Sequence, residues 1–447
     1  MRIDRLGDLG TPPEVLRRIG DTTVRLGLPP PAALTGEWFH SLAVIAPSVA
    51  ISSVHSVDAF PSDMPRTETG PSPEAWERST RYEEATVGGG WIGYLSYPDP
   101  ASDGEGPRIP AAAGGWTDSV LRRDRHGIWW FEDLRGAPMP QWLEAALQAE
   151  SRTSAGCRIY WTAPKADEHH AAVLACLEAI RAGEIYQACV CTQFSGPSEG
   201  EPLDFFIDSV ARNHPARAAY LAGDWGAIAS LSPELFLSRR NGVVTSSPIK
   251  GTLPLSNRPA QLRASAKDVA ENVMIVDLVR NDLGRVAITG TVTVPQLLVV
   301  RRAPGVWHLV STVAAQVSDH LPTSSLLEAT FPPASVTGTP KLRARELLSE
   351  WESRRRGIYC GTVGLDSPVA GCELNVAIRT VEFDALGRAV LGVGGGITSD
   401  SDPMAEWQEC LHKAAPVVGA AVVASANGTA VRSPRIGRVA RIPHGKP

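Results

Sequence analysis

The sequence predicts a mixed α+β protein. Three observations point there. Capped, amphipathic segments of helical length recur in the second half of the chain. Apolar runs of strand length lie between them. Glycine (41) and proline (36) are abundant enough to supply many turns. With 447 residues, 43% hydrophobic and 20% charged, the chain is long enough for a sizeable core.

Residues 1–80 carry short apolar runs broken by proline pairs, and residues 61–80 read as a polar, proline-rich loop. A second such loop covers 100–115. Between them GGGWIGYLSY (88–97) contains G-x-G-x-x-G at Gly88, Gly90 and Gly93. A dinucleotide site needs a helix straight after that motif. Here Tyr94-Leu95-Ser96-Tyr97-Pro98 follows and reads as strand, so close backbone packing in a sheet is the expectation. DEHHAAVLACLEAIRAG is a helix ending at Gly183, and EIYQACVCTQF (184–194) is a strand. Residues 265–284 form a helix with a capping-box-like S-A-K-D start. Residues 388–397 form a strand running into a glycine loop, and a helix starts at Asp402-Pro403. After about 425 the chain is basic, without acids, and is expected to be mobile. The regions are 1–165 (N-terminal), 166–420 (catalytic) and 421–447 (tail).

Charge and cysteine usage exclude several classes. The formal net charge is −5, with no polybasic block in the body, which argues against nucleic acid or a membrane surface as partner. Seven cysteines, none in C-x-x-C, argue against a disulfide framework or structural zinc. MRIDRLGDLG has no apolar run of a signal peptide, and APVVGAAVVASA is too short to span a bilayer. A cytoplasmic location is the expectation.

Two helices carry the candidate chemistry. In AKDVAENVMIVDLVRND, Asp268 and Glu271 share a face. In DPMAEWQECLHKA, Glu406, Glu409 and Lys413 share another, while Trp407, Leu411 and Ala414 point to a core. Hard cations such as Mg2+ take a few carboxylates and keep water for a substrate. Either helix alone also fits a solvated acidic face. GVGGGITSDSDP (392–403) places backbone N–H groups before a helix start, where carboxylates or phosphates bind; a plain tight turn is the alternative. Arg379, in NVAIRT, sits in an apparent strand, either to grip a carboxylate or at a sheet edge. Together these suggest a Mg2+-dependent enzyme acting on a small anion.

The runs SLSPELFLSRRNGVVTSSPIKGTLP, SAKDVAENVMIVDLVRNDLGRV, FPPASVTGTPKLRARELL, YCGTVG, IRT and GGGITSDSDPMAEWQECLHKA occur in that order. This series resembles the chorismate-utilising enzymes, over about residues 85–418. The resemblance implies two large antiparallel β-sheets packed as a sandwich with helices outside, and it implies Mg2+ and chorismate. Position by position it puts Glu271 and Glu409 on the metal, with Asp268 and Glu406 as neighbouring acids. It puts Tyr359, Arg379, the backbone of Gly394, Gly395 and Gly396, and Lys413 on the substrate carboxylates. It puts Thr337 on the ring pocket and Glu234 as the general acid at the C4 hydroxyl.

Two positions discriminate within the family. Water-adding members resemble one another in a lysine where this chain has Gln187, and glutamine takes no proton at neutral pH. Ammonia is then the expected nucleophile. PIKGT resembles the aminodeoxychorismate synthases, where anthranilate synthases resemble PIAGT. It makes Lys250 a candidate covalent nucleophile at C2, and the alternative is a lysine that only positions substrate. No cysteine lies in G-x-C-x-G, so ammonia is expected from a separate glutamine amidotransferase subunit. No segment resembles the tryptophan feedback site. The sequence departs from the family pattern at Cys189, Gln193, FPPAS (331–335), Glu373 and Cys410.

Overall fold

The computed structural model describes residues 1–61, 86–99, 106–152, 154 and 156–426. Most of the expected 61–80 loop, the start of the 100–115 loop and the basic tail from 427 lie outside these residues.

Among the described residues the strands form two sheets, of twelve and ten strands, in which every pairing is antiparallel. The larger sheet carries Arg217–Gly223, Gly226–Ser232, Thr380–Asp384, Arg388–Ile397 and Gln187–Glu199 side by side. The smaller carries Ile249–Pro254, Val306–Gln316, Val243–Ser247, Leu235–Arg240, Gly371–Val376, Thr362–Ser367 and Gly90–Leu95. Residues 1–165 supply strands to both sheets.

The sheets pack face to face. Leu34, Val44, Leu221 and Ile228 of one meet Ile92, Tyr94, Val363 and Leu365 of the other in a dry core. Helices cover the outer faces. Helix Pro403–Val418 buries Trp407, Leu411 and Ala414 against Phe194, Leu391 and Val393. Helix Ala266–Gly284 buries Ile275, Val279 and Leu283 against Phe236 and Leu374. Each such valine, leucine, isoleucine or phenylalanine side chain, fully buried, contributes about 1.5–3 kcal/mol. The α+β sandwich expectation therefore holds.

The G-x-G-x-x-G segment is a strand, Gly90–Leu95. A Cβ on Gly93 would lie 2.5 Å from the Ala113 carbonyl and 2.4 Å from the Trp91 ring, so close packing explains that glycine. Three expectations need correction. The strand read as 184–194 begins at Gln187 and runs to Glu199. The strand expected over 388–397 is Arg388–Ile397, so the glycine loop read over 392–403 starts too early: Gly392–Gly396 pair with Gln193–Cys189 inside that strand. Arg379 is not in a strand: it stands at φ 51° in the short link that carries the chain from the smaller sheet (Gly371–Val376) to the larger (Thr380–Asp384).

Candidate active site

The strand Arg388–Ile397 of the larger sheet is the floor around which the candidate site gathers. Its glycines are small for a reason. A Cβ on Gly396 would lie 3.2 Å from Lys250 Nζ, 3.3 Å from Gln187 Oε1 and 3.5 Å from Glu271 Oε2. A Cβ on Gly395 would lie 3.1 Å from Glu406 Oε2, 3.8 Å from Lys413 Nζ and 3.9 Å from Glu409 Oε1. Residues from four distant segments thus meet the strand at two consecutive positions, Gly396 on the face it shares with Cys189 and Gly395 on the opposite, helix-covered face.

Each side chain is aimed by its element. Lys250 lies where the strand Ile249–Pro254 breaks register between Ile249↔Val310 and Thr252↔His308. Gly251 follows at φ 86°. A bulge of this kind redirects a side chain, and here it turns Lys250 toward the floor. Glu234 precedes the strand Leu235–Arg240 and is 3% exposed. Burial pushes its carboxyl up to about 7, against the opposing pull of the Ser335 hydroxyl, Lys250, the Ile249 N–H and Lys413. A carboxyl with that value can hold a proton at neutral pH and release it to a leaving group.

The two acid helices enter from opposite sides. Ser265 caps the first by accepting from the Asp268 N–H at 3.2 Å. Asp402 caps the second by accepting from the Ala405 N–H at 2.9 Å. Lys413 Nζ contacts Glu409 Oε1 at 2.7 Å and donates to the Gly394 carbonyl at 2.8 Å. That ammonium holds the Glu409 carboxyl below its ordinary value. Burial raises the Glu271 carboxyl, opposed by Lys250 and Lys267. Asp268 shares the helix face of Glu271, but its carboxylate packs under Gly251, with Cγ 3.0 Å from a Cβ placed there.

Among the buried side-chain atoms without a hydrogen-bond partner are two acceptors of this site, Gln187 Oε1 and Glu406 Oε2. Unpaired buried acceptors cost about 1–3 kcal/mol each; Gln187 Oε1 lies beside Gly396 and Glu406 Oε2 beside Gly395. The carboxylates of Glu271, Glu406 and Glu409 suit a hard divalent cation. Among the described residues no three such side chains are close enough to enclose a metal ion by themselves. A cation there would fill its shell with water or substrate, as Mg2+ does.

The other predicted residues are more spread. Arg379 lies half-buried in the link between the sheets, where desolvation pushes its guanidinium down and Glu234 opposes the shift. Thr337 is fully buried, and its hydroxyl donates to the Pro333 carbonyl at 2.8 Å while its carbonyl accepts the Cys189 N–H at 2.7 Å. It braces the pocket wall through backbone contacts. Tyr359 packs its ring over Gly392, about 13 Å along the floor from Gly396 at 3.3 Å per residue. There it lines a cavity of about 350 Å³ with Cys191, Gln193 and Arg356.

Of the departures, Cys189 and Cys191 lie on the floor side with Sγ atoms 3.9 Å apart, and burial contributes to raising both thiols. Glu373 is remote: it accepts from the Phe39 N–H and pairs with Arg217. Cys410 packs against His169. Three contributors escape a reading by motif: Ser335 beside Glu234, and Lys267 and Ser401, which both bond Glu406. The i,i+4 spacing of Lys267 and Glu271 was the one available signal.

This sandwich of two antiparallel sheets with outer helices is the fold of the chorismate-utilising enzymes. The chain belongs to the chorismate binding enzyme family, which matches residues 38–419. It is 42% identical over 243 residues to aminodeoxychorismate synthase component 1 of Escherichia coli K12, covering 53% of each chain. It is 39% identical over 280 residues to the protein of that name from Klebsiella aerogenes, covering 61% of this chain and 62% of that one. The matched stretch thus spans little more than half the length of these relatives. Among solved structures, anthranilate synthase component I from Streptococcus pneumoniae superposes with TM-score 0.63 at 28% identity, over 76% of this chain and 82% of that one. The menaquinone-specific isochorismate synthase of Escherichia coli shares the fold at TM-score 0.65 and 17% identity, over 93% and 94%. Among the described residues no helix is long and apolar enough to cross a membrane.

Proposed function

We propose that this chain aminates chorismate at C4, giving 4-amino-4-deoxychorismate for the 4-aminobenzoate branch of folate synthesis. The observation that carries the reading is the convergence of Lys250 Nζ, Gln187 Oε1 and Glu271 Oε2 over Gly396. It joins a candidate nucleophile, an acceptor that is no base, and a metal-type carboxylate at one point. The names of the relatives support the same reaction.

The Lys250 amine, after losing a proton, attacks C2 of chorismate. Both ring double bonds shift, from C1=C2 and C5=C6 to C1=C6 and C4=C5, and the C4 hydroxyl leaves as water with the proton of Glu234. Ammonia then adds at C4, both double bonds shift back, and the lysine amine departs from C2. Splitting one displacement into two is ordinary covalent catalysis. Gln187 Oε1 accepts a hydrogen bond from the incoming ammonia without competing for its proton. Arg379 and Lys413 supply positive charge for the two substrate carboxylates. Glu271, Glu406 and Glu409, with Asp268 nearby, would hold Mg2+, which when bound neutralises a substrate carboxylate and fixes its position.

Ammonia comes from a separate glutamine amidotransferase subunit. The relatives' designation as component 1 supports a second component, and this sequence has no G-x-C-x-G of its own.

The test is product identification with chorismate, Mg2+ and ammonium, by mass and by coupling to a lyase that forms 4-aminobenzoate. A 4-aminobenzoate signal that requires the lyase is expected. Anthranilate with pyruvate would mean that PIKGT does not set the chemistry. Chorismate loss without ammonia would point instead to isochorismate or salicylate.

A further inference from the structure

Glu406 is held in an asymmetric way. Its Oε1 accepts from Lys267 Nζ at 2.8 Å and from the Ser401 hydroxyl at 2.7 Å. Its Oε2 has no partner although the residue is 2% exposed. That free oxygen lies 3.1 Å from a Cβ placed on Gly395, on the helix-covered face of the strand, with Glu409 Oε1 on the same side. Lys267 comes from the first acid helix and Glu406 from the second, and Lys267 Nζ also stands 4.0 Å from Glu271 Oε1.

We infer that Lys267 and Ser401 are positioning residues that clamp one oxygen of Glu406 and so present the other as a fixed ligand for a divalent cation. The inference rests on the proposed metal role of Glu271, Glu406 and Glu409. The physical argument is orientation. A carboxylate ligand costs less to order when its outer oxygen is already hydrogen-bonded, and such outer partners commonly change metal affinity tenfold or more. Two donors on Oε1 also stop the carboxylate from rotating to pair Oε2 with either of them. Lys267 has a second effect, because it spans both acid helices and sets the separation of Glu406 from Glu271.

The sign of one substitution separates this role from simple electrostatics. A lysine ammonium repels a divalent cation, so by charge alone Lys267→Met should tighten cation binding. The clamp predicts the opposite, since the carboxylate loses its orientation. Ser401→Ala removes the second donor with no change in charge and should weaken binding too.

The experiment titrates Mg2+ alone into the full chain by calorimetry, repeated with Mn2+ by electron paramagnetic resonance. Wild type, Lys267→Met, Lys267→Arg and Ser401→Ala are compared. Thermal unfolding in a chelator verifies that each variant is folded. The expected result is binding weakened about tenfold in Lys267→Met and in Ser401→Ala, with Lys267→Arg closer to wild type. Equal or tighter Mg2+ binding in both Lys267→Met and Ser401→Ala overturns the clamp while leaving the metal reading intact. Absence of Mg2+ and Mn2+ binding in the wild type overturns the metal reading, and the clamp with it.

Discussion

Glu234 makes stability depend on pH in a way that one substitution should erase. Its carboxyl stands at about 7 in the fold, against an ordinary value of 4.5. The cause is burial among apolar neighbours, only partly offset by Ser335, Lys250 and the Ile249 N–H. Below pH 4.5 both folded and unfolded chains hold the proton, and the group is neutral to stability. Between 4.5 and about 7 the unfolded chain releases the proton while the folded chain keeps it, so stability falls as pH rises. Above 7 the full penalty is present. At 1.36 kcal/mol per pH unit, the difference between 4.5 and about 7 amounts to about 3 kcal/mol. Glu234→Gln keeps the shape and cannot ionise. Urea unfolding of both proteins in a chelator should give a difference near zero at pH 4.5 and a variant more stable by about 3 kcal/mol at pH 8. Parallel stability curves across that range would refute the reasoning. The same variant should be nearly inactive at every pH. Wild-type turnover should decline above about pH 7, as the acid form is lost.

Further outcomes follow from other contacts. Lys250→Ala should remove both rapid product formation and any protein–substrate mass adduct seen when ammonia is withheld. An active variant would leave Lys250 a positioning charge only. Gly392→Ala places a Cβ 2.2 Å from the Tyr359 ring, and overpacking of that kind costs about 1–3 kcal/mol in denaturant unfolding; an unchanged midpoint would contradict the close packing. Arg356 is 5% exposed. It bonds Glu352 at 2.7 Å, the Val336 carbonyl at 2.9 Å and the Cys189 carbonyl at 2.7 Å. Arg356→Met strands the Glu352 carboxylate and should cost about 3–5 kcal/mol in unfolding free energy; a loss under 1 kcal/mol would show the network to be dispensable.

The acid helices were legible because their signals are local. Ser265 and Asp402 announce helix starts, and the i,i+3 acids share a face whatever lies opposite. The strand over 388–397 was legible, but the glycine loop was drawn back over its last residues because a strand stretch without side chains carries no period-two pattern. Its strand character comes from pairing with Gln187–Glu199, some two hundred positions away in the chain. Arg379 was misplaced for a similar reason: a link between two sheets looks extended in sequence, and only the topology reveals the change of sheet. Lys267 and Ser401 carry no motif of their own, since their meaning depends on a carboxylate brought in by another helix. The resemblance supplied the sandwich and most of the site residues, while composition and periodicity alone reached no further than a mixed fold with acidic helices.

The glycine floor has an evolutionary consequence. A surface built of main-chain atoms cannot be retuned by side-chain replacement, because Gly395 and Gly396 already have the smallest residue and any larger one intrudes on Lys250, Glu271 or Glu406. Divergence toward another nucleophile or leaving group is therefore confined to the walls. Gln187 and Lys250 reach the same point from opposite sheets, and each can be exchanged without disturbing the strand beneath. A main-chain platform with two exchangeable walls is an economical way for a single scaffold to host several reactions.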